Sequence, residues 1–140
     1  MRYDIIIDKY FNCWLCDNNF SMMQSWSLEP EAGCRIELTF DSVFDIDHKK
    51  DRPVPCNWDW VRISYGSFNE KFCGHSIQET PFTGGKGETM KVEFYSDSSE
   101  KRIKVKGFMA TWKSVYVATV DTPVTTCTKG ISHTIKALHV

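Results

Sequence analysis

Three aspartates, Asp47, Asp59 and Asp97, have the clearest capacity for chemistry in this sequence. Each supplies hard carboxylate oxygens and stands beside the end of a predicted strand, so a folded sandwich could carry all three to one edge. Calcium takes about six to eight oxygens, a shell that three carboxylates, a backbone carbonyl and water would complete. Without a cation the same three would repel one another. The ordinary state of a loop carboxylate is a solvated surface charge, and the spacing of these three does not by itself exclude it.

The second chemical signal is sulfur. Cys13, Cys16, Cys34, Cys56, Cys73 and Cys127 form an even set in 140 residues, which implies disulfides formed in an oxidising, extracellular compartment. Zinc is the competing use, because Cys13 and Cys16 have C-x2-C spacing, but no second close pair completes such a site. Sequence alone selects no pairing among the six. Asn19-Phe20-Ser21 is an N-glycosylation acceptor triplet, consistent with a secreted glycoprotein.

Catalytic signals are missing. The chain has no H-E-x-x-H and no G-x-S-x-G, and Gly84-Gly85-Lys86-Gly87 lacks the spacing of a phosphate-cradling loop. His48, His75, His133 and His139 are isolated and read as surface residues. Asp59 and Asp97 would imitate a glycosidase dyad only with a raised-pKa carboxyl, for which the sequence offers no environment. The chain is therefore expected not to be an enzyme. A net charge of -1 leaves no electrostatic footprint for nucleic acid or an anionic membrane. No apolar run reaches the length of a membrane helix, and the N-terminus lacks a secretory-signal pattern, so Met1 reads as a trimmed boundary.

These residues must be positioned by strands. With 41% hydrophobic, 14% aromatic and 25% charged residues, the chain is long enough for one domain with a real core. From Arg35 to Phe44, Ile36, Leu38 and Phe40 alternate with polar residues, as in a half-buried strand. Asp45 to Pro55 reads as a loop closing on Cys56, and Trp58 to Tyr65 as a strand ending at Gly66. Met90, Val92 and Phe94 alternate toward an acidic turn at Asp97. A further strand is expected from Ile103 through Trp112, with Gly107 as a bulge, and one more over Val115, Val117 and Val120. Short strands at this spacing, without an amphipathic helix, predict an all-β sandwich of two antiparallel sheets. The domain is expected over 1–120, with 121–140 a tail or linker held down only if Cys127 is bonded.

The ordered motifs Trp26-Ser27-Leu28, Ile36-Glu37-Leu38-Thr39-Phe40, Phe44-Asp45-Ile46-Asp47, Cys56-Asn57-Trp58-Asp59-Trp60-Val61-Arg62-Ile63, Phe72-Cys73-Gly74, Val92 to Asp97 and Gly107 to Trp112 resemble the CUB domain family, over about Cys13 to Trp112. The resemblance implies a disulfide-stapled, jelly-roll-like sandwich that recognises extracellular proteins, as part of a larger secreted protease or receptor. It implies a Cys56–Cys73 bond. It also implies calcium ligation by Asp47, Asp59 and Asp97, with the Ser99 carbonyl and Glu100 as weaker ligands. In such a site the acidic side chains would grip a partner's Lys or Arg, framed by His48, Trp58, Trp60 and Phe44, although Trp58 and Trp60 fall on one strand face where core packing is the commoner fate.

The match has departures. Gln24 stands where the family places a cysteine, Asp47 is shorter than the usual Glu, and Glu100 replaces an Asn or Asp. A shifted pairing of Cys13 with Cys34, leaving Cys16 and Cys127 for each other, would accommodate the missing cysteine. The alternative function is a metal-independent, glycan-binding or structural sandwich that uses exposed aromatic faces.

Overall fold

The computed structural model describes residues 3–7, 22–47, 56–97, 106–117, 127 and 131–139. They form the strands β1 (Tyr3–Ile7), β2 (Met22–Leu28), β3 (Cys34–Asp45), β4 (Trp60–Tyr65), β5 (Phe68–Phe72), β6 (Phe82–Thr83), β7 (Met90–Ser96), β8 (Gly107–Tyr116) and β9 (His133–His139), with no α-helix among the described residues. A five-stranded sheet runs β1-β9-β8-β3-β6 and a four-stranded sheet runs β2-β7-β4-β5. Every strand pairing is antiparallel. The expected all-β sandwich is the observed fold.

Alternation makes the core. In β3, Cys34, Ile36, Leu38 and Phe40 are buried while the residues between them are half-buried. β4 contributes Val61 and Ile63, and β7 contributes Met90, Val92 and Phe94. β8 and β9 add Phe108, Ala110, Ile135 and Ala137. Successive strand side chains point to opposite faces, so each of these sets lines the space between the sheets. Phe108 sits at its centre, within ring-contact distance of Trp26, Phe40, Phe44 and Phe94.

Between Phe40 and Phe44 the register of β3 against β8 shifts: Phe40 pairs with Ala110 and Phe44 with Phe108. Four steps on β3 oppose two on β8. The two extra residues preserve parity, so both phenylalanines face inward while Ser42 and Val43 are exposed. Beyond the bulge Phe44, Asp45, Ile46 and Asp47 are all buried, because the strand end is closed over by the segment after β5, where Ile46 and Gly74 exchange two backbone hydrogen bonds of 3.0 and 2.9 Å.

Disulfides link Cys56 to Cys73 and Cys34 to Cys127. The second corrects the suggested pairing of Cys13 with Cys34. Cys34 opens β3 opposite Tyr116 at the end of β8, so the chain leaving β8 is the segment placed to reach it. Sequence spacing carries no trace of that return. Cys13 and Cys16 lie outside the described residues. Further differences concern strand bounds: β8 runs unbroken from Gly107 to Tyr116, with Gly107 at φ 90° as its first residue, and residues 98–105 lie outside the described residues.

The β4–β5 hairpin turns at Gly66, φ 52°, a left-handed conformation that costs an ordinary residue about 1–2 kcal/mol. A Cβ there would also meet the Glu88 carboxylate at 3.0 Å, displacing a side chain that accepts the Gly85 N–H. Gly66→Ala is expected to lower unfolding stability by about 1–2 kcal/mol in urea titrations. A loss near zero would show that the turn relaxes.

Candidate functional site

At one end of the sandwich β3 finishes, β4 starts and β7 finishes, and the three aspartates mark these ends. Asp47 lies two residues past β3, Asp59 immediately before β4, and Asp97 immediately after β7. Strand adjacency explains why they meet: Trp60 pairs with Tyr95, which sets Asp59 beside Ser96 and Asp97. The Asp59 backbone N–H points to the Asp47 carbonyl at 3.4 Å, joining the third segment to the other two. This explains why β4 begins at Trp60 and not at Trp58, since Asp59 turns its backbone toward Asp47 and away from the β7 ladder.

Asp59 is the centre of the arrangement. Its side chain is nearly inaccessible, and its two oxygens accept separate hydrogen bonds, one from the Asp97 backbone N–H at 2.9 Å and one from the Ser96 hydroxyl at 3.2 Å. A carboxylate buried in this way needs such donors. Each bond also locks the chain direction at the end of β7, so Asp59 shapes the loop that carries Asp97. Asp47 is buried to 2% exposure, whereas Asp97 is half-buried. The donor set is therefore all oxygen, strongly anionic and largely withdrawn from bulk water, which suits a hard divalent cation.

Among the described residues, the three carboxylates do not all come within 4.8 Å of one another. The group that does is Glu31, Cys34 and Cys127, whose sulfurs are bonded to each other and so are not available to a metal. Trp58 is half-buried beside Asp59. His48, Ser99, Glu100 and the triplet at Asn19 lie outside the described residues.

Three participants escaped the sequence reading. Ser96 ends β7 with its side chain buried against Asp59. Asp45 is buried at the last position of β3, where its carboxylate accepts the Lys106 N–H at 3.1 Å and lies 3.6 Å from His75 Nε2. His75 in turn places Nδ1 3.2 Å from the Phe44 carbonyl, so this histidine clamps the end of β3 to the segment after Cys73. Only Asp45 left a signal: a charge at the boundary of an alternating apolar run.

Trp60 also differs from the core placement expected of it. Val61 and Ile63 take the inward positions of β4, leaving Trp60 on the outer face, stacked on Tyr95 at 5.3 Å. The Arg62 guanidinium and Lys71 ammonium lie 5.0 and 4.3 Å from its ring centroid.

Comparison with known proteins agrees with this fold. A family model for the CUB domain matches residues 17–112. Blastula protease 10 of Paracentrotus lividus is 32% identical over 104 residues, which is 72% of this chain and 16% of that protein. Tolloid-like protein 1 of Mus musculus is 28% identical over 115 residues, 77% of this chain and 10% of that protein. The chain thus spans no more than about a sixth of either relative. The crystal structure of the MASP-1 CUB2 domain bound to Ca2+ superposes with a TM-score of 0.55 at 23% identity, covering 80% of this chain and 92% of that one.

Proposed function

Because the chain belongs to the CUB domain family, we propose that it is a non-catalytic extracellular recognition module that holds a protein partner through a calcium-ordered acidic rim built on Asp47, Asp59 and Asp97. The observation that carries this reading is Asp59: a buried carboxylate that ties together the ends of three strands. The Ca2+-bound state named for the MASP-1 CUB2 domain supports the choice of ion. Disulfide bonding supports the extracellular setting.

In this reading Asp47, Asp59 and Asp97 are ligands, and the Ser99 carbonyl and Glu100 extend the set. Calcium, when bound, supplies the charge that offsets repulsion among the carboxylates. Asp59 keeps the rim in shape through the Asp97 N–H and the Ser96 hydroxyl. The remaining carboxylate lone pairs accept hydrogen bonds from a partner's Lys ammonium or Arg guanidinium, with His48 and Trp58 flanking the contact. The parent protein is proposed to be a larger secreted protease or receptor, in which this domain supplies binding and not chemistry.

Thermal melting under calcium titration tests the site. Saturation at about a hundred times Kd corresponds to about 2.7 kcal/mol of added stability, so calcium should raise Tm while magnesium should not. Asp59→Asn keeps an oxygen to accept one hydrogen bond but removes the charge, and should abolish the calcium-dependent rise. An equal response to both ions, or a rise preserved in Asp59→Asn, would discard the metal site.

A further inference from the structure

The outer face of the four-stranded sheet has a composition that the rim does not explain. Its first cross-strand row, nearest the aspartates, is Met23, Tyr95 and Trp60. The next is Glu93, Arg62 and Lys71. Lys91 follows Glu93 on the same face of β7, two residues closer to the strand start. Met23 is 52% exposed, a large apolar side chain facing water at the edge of this aromatic row.

The charges on these rows are Arg62, Lys71 and Lys91 against Glu93, so the face is net positive on a chain whose formal charge is -1. Glu93 lies 2.7 Å from Lys91 and 3.8 Å from Arg62, so one carboxylate is shared by two cations. Lys71 is exposed, on the edge strand β5, with its ammonium 4.3 Å from the Trp60 ring centroid. A cation held over an indole keeps its position without losing its charge, and so costs less to order when an anion arrives.

We infer that this face is a second recognition surface, which takes an acidic segment of polypeptide on Lys71, Arg62 and Lys91. Charge complementarity selects an anion. A stacked neutral sugar fits poorly, because Trp60 is flanked by Tyr95 from the β7 side and by Lys71 from the β5 side. A uniformly anionic glycan laid along the face would run onto Asp59 and Asp97 at the end of the same strands. A polypeptide can change the sign of its charge within a residue or two, at about 3.3 Å per residue, and meets both regions without repulsion. The surface adds to the acidic rim and does not depend on metal there.

The test uses the full chain with a short Glu-rich peptide as probe, observed by the Trp60 indole resonance and by titration at low and physiological salt. The expected result is a shift of that resonance on binding, affinity that weakens with salt, and a drop of about tenfold or more in Lys71→Glu, an exposed site where folding is not at stake. At physiological salt, excess chelator should leave the peptide affinity of the unaltered chain unchanged, which separates this surface from a metal-dependent rim. Absence of peptide binding, binding indifferent to Lys71→Glu, or binding of a sulfated glycan but not of the peptide would each overturn the inference.

Discussion

Replacing Phe108 by alanine is expected to cost about 4 kcal/mol of unfolding stability. Phe108 is 1% exposed and touches aromatic rings from both sheets: Trp26 on β2 at 6.2 Å, Phe40 and Phe44 on β3 at 5.7 and 6.3 Å, and Phe94 on β7 at 5.6 Å. Because these neighbours belong to three strands held by their own ladders, they cannot all move inward to fill the space. The cavity term therefore adds to the lost burial. A domain with about 5–15 kcal/mol in total would lose a large share of it. Guanidinium titration of wild type and variant, with a common m-value, measures the effect. A loss below about 1 kcal/mol would mean that Phe108 is not the meeting point of the two sheets.

The second large effect concerns the covalent link at the end of the five-stranded sheet. Cys34 and Cys127 are 93 residues apart, whereas Cys56 and Cys73 are separated by 17. A crosslink restricts the unfolded chain more when it closes a longer loop, so removing Cys34–Cys127 should cost about 4–5 kcal/mol and removing Cys56–Cys73 about 3 kcal/mol. Paired alanine variants, Cys34→Ala with Cys127→Ala and Cys56→Ala with Cys73→Ala, allow the two losses to be compared directly. The first pair should also speed amide exchange in β9 before β7 is affected, because Cys127 lies between β8 and β9. The opposite ranking would show that strain or solvation, and not loop closure, governs these bonds.

Both effects arise from features of unequal visibility in the sequence. The alternation in β3 and β7 was readable because a period of two survives any tertiary context in which one face is buried. Strand β9 was not readable. His133, Thr134, Ile135, Lys136 and Ala137 alternate too weakly to announce a strand, and its place between β1 and β8 rests on pairing with distant residues. The bulge in β3 was also silent, since nothing in Asp41, Ser42 and Val43 marks a register shift inside the strand read from Arg35 to Phe44.

The acidic rim divides in the same way. Asp59 and Asp97 could be picked out because each adjoins a recognisable strand, yet the Trp60–Tyr95 pairing that sets them side by side is a long-range register. His75 and Asp45 illustrate the limit. A histidine after a half-cystine and an aspartate in an apolar stretch carry no mark of belonging together, and only the Ile46–Gly74 bridge brings them within 3.6 Å.

What the sequence determined by itself was local: strand periodicity, an even cysteine set, oxygen-donor aspartates at strand ends, and the absence of catalytic motifs. The tertiary structure decided which strands became neighbours, and so which cysteine met Cys34, which face of β4 carried Trp60, and which backbone donors surrounded Asp59. The physical reason is that side-chain alternation is dictated by bonds between adjacent residues, whereas register and pairing are chosen by burial summed over the whole sandwich.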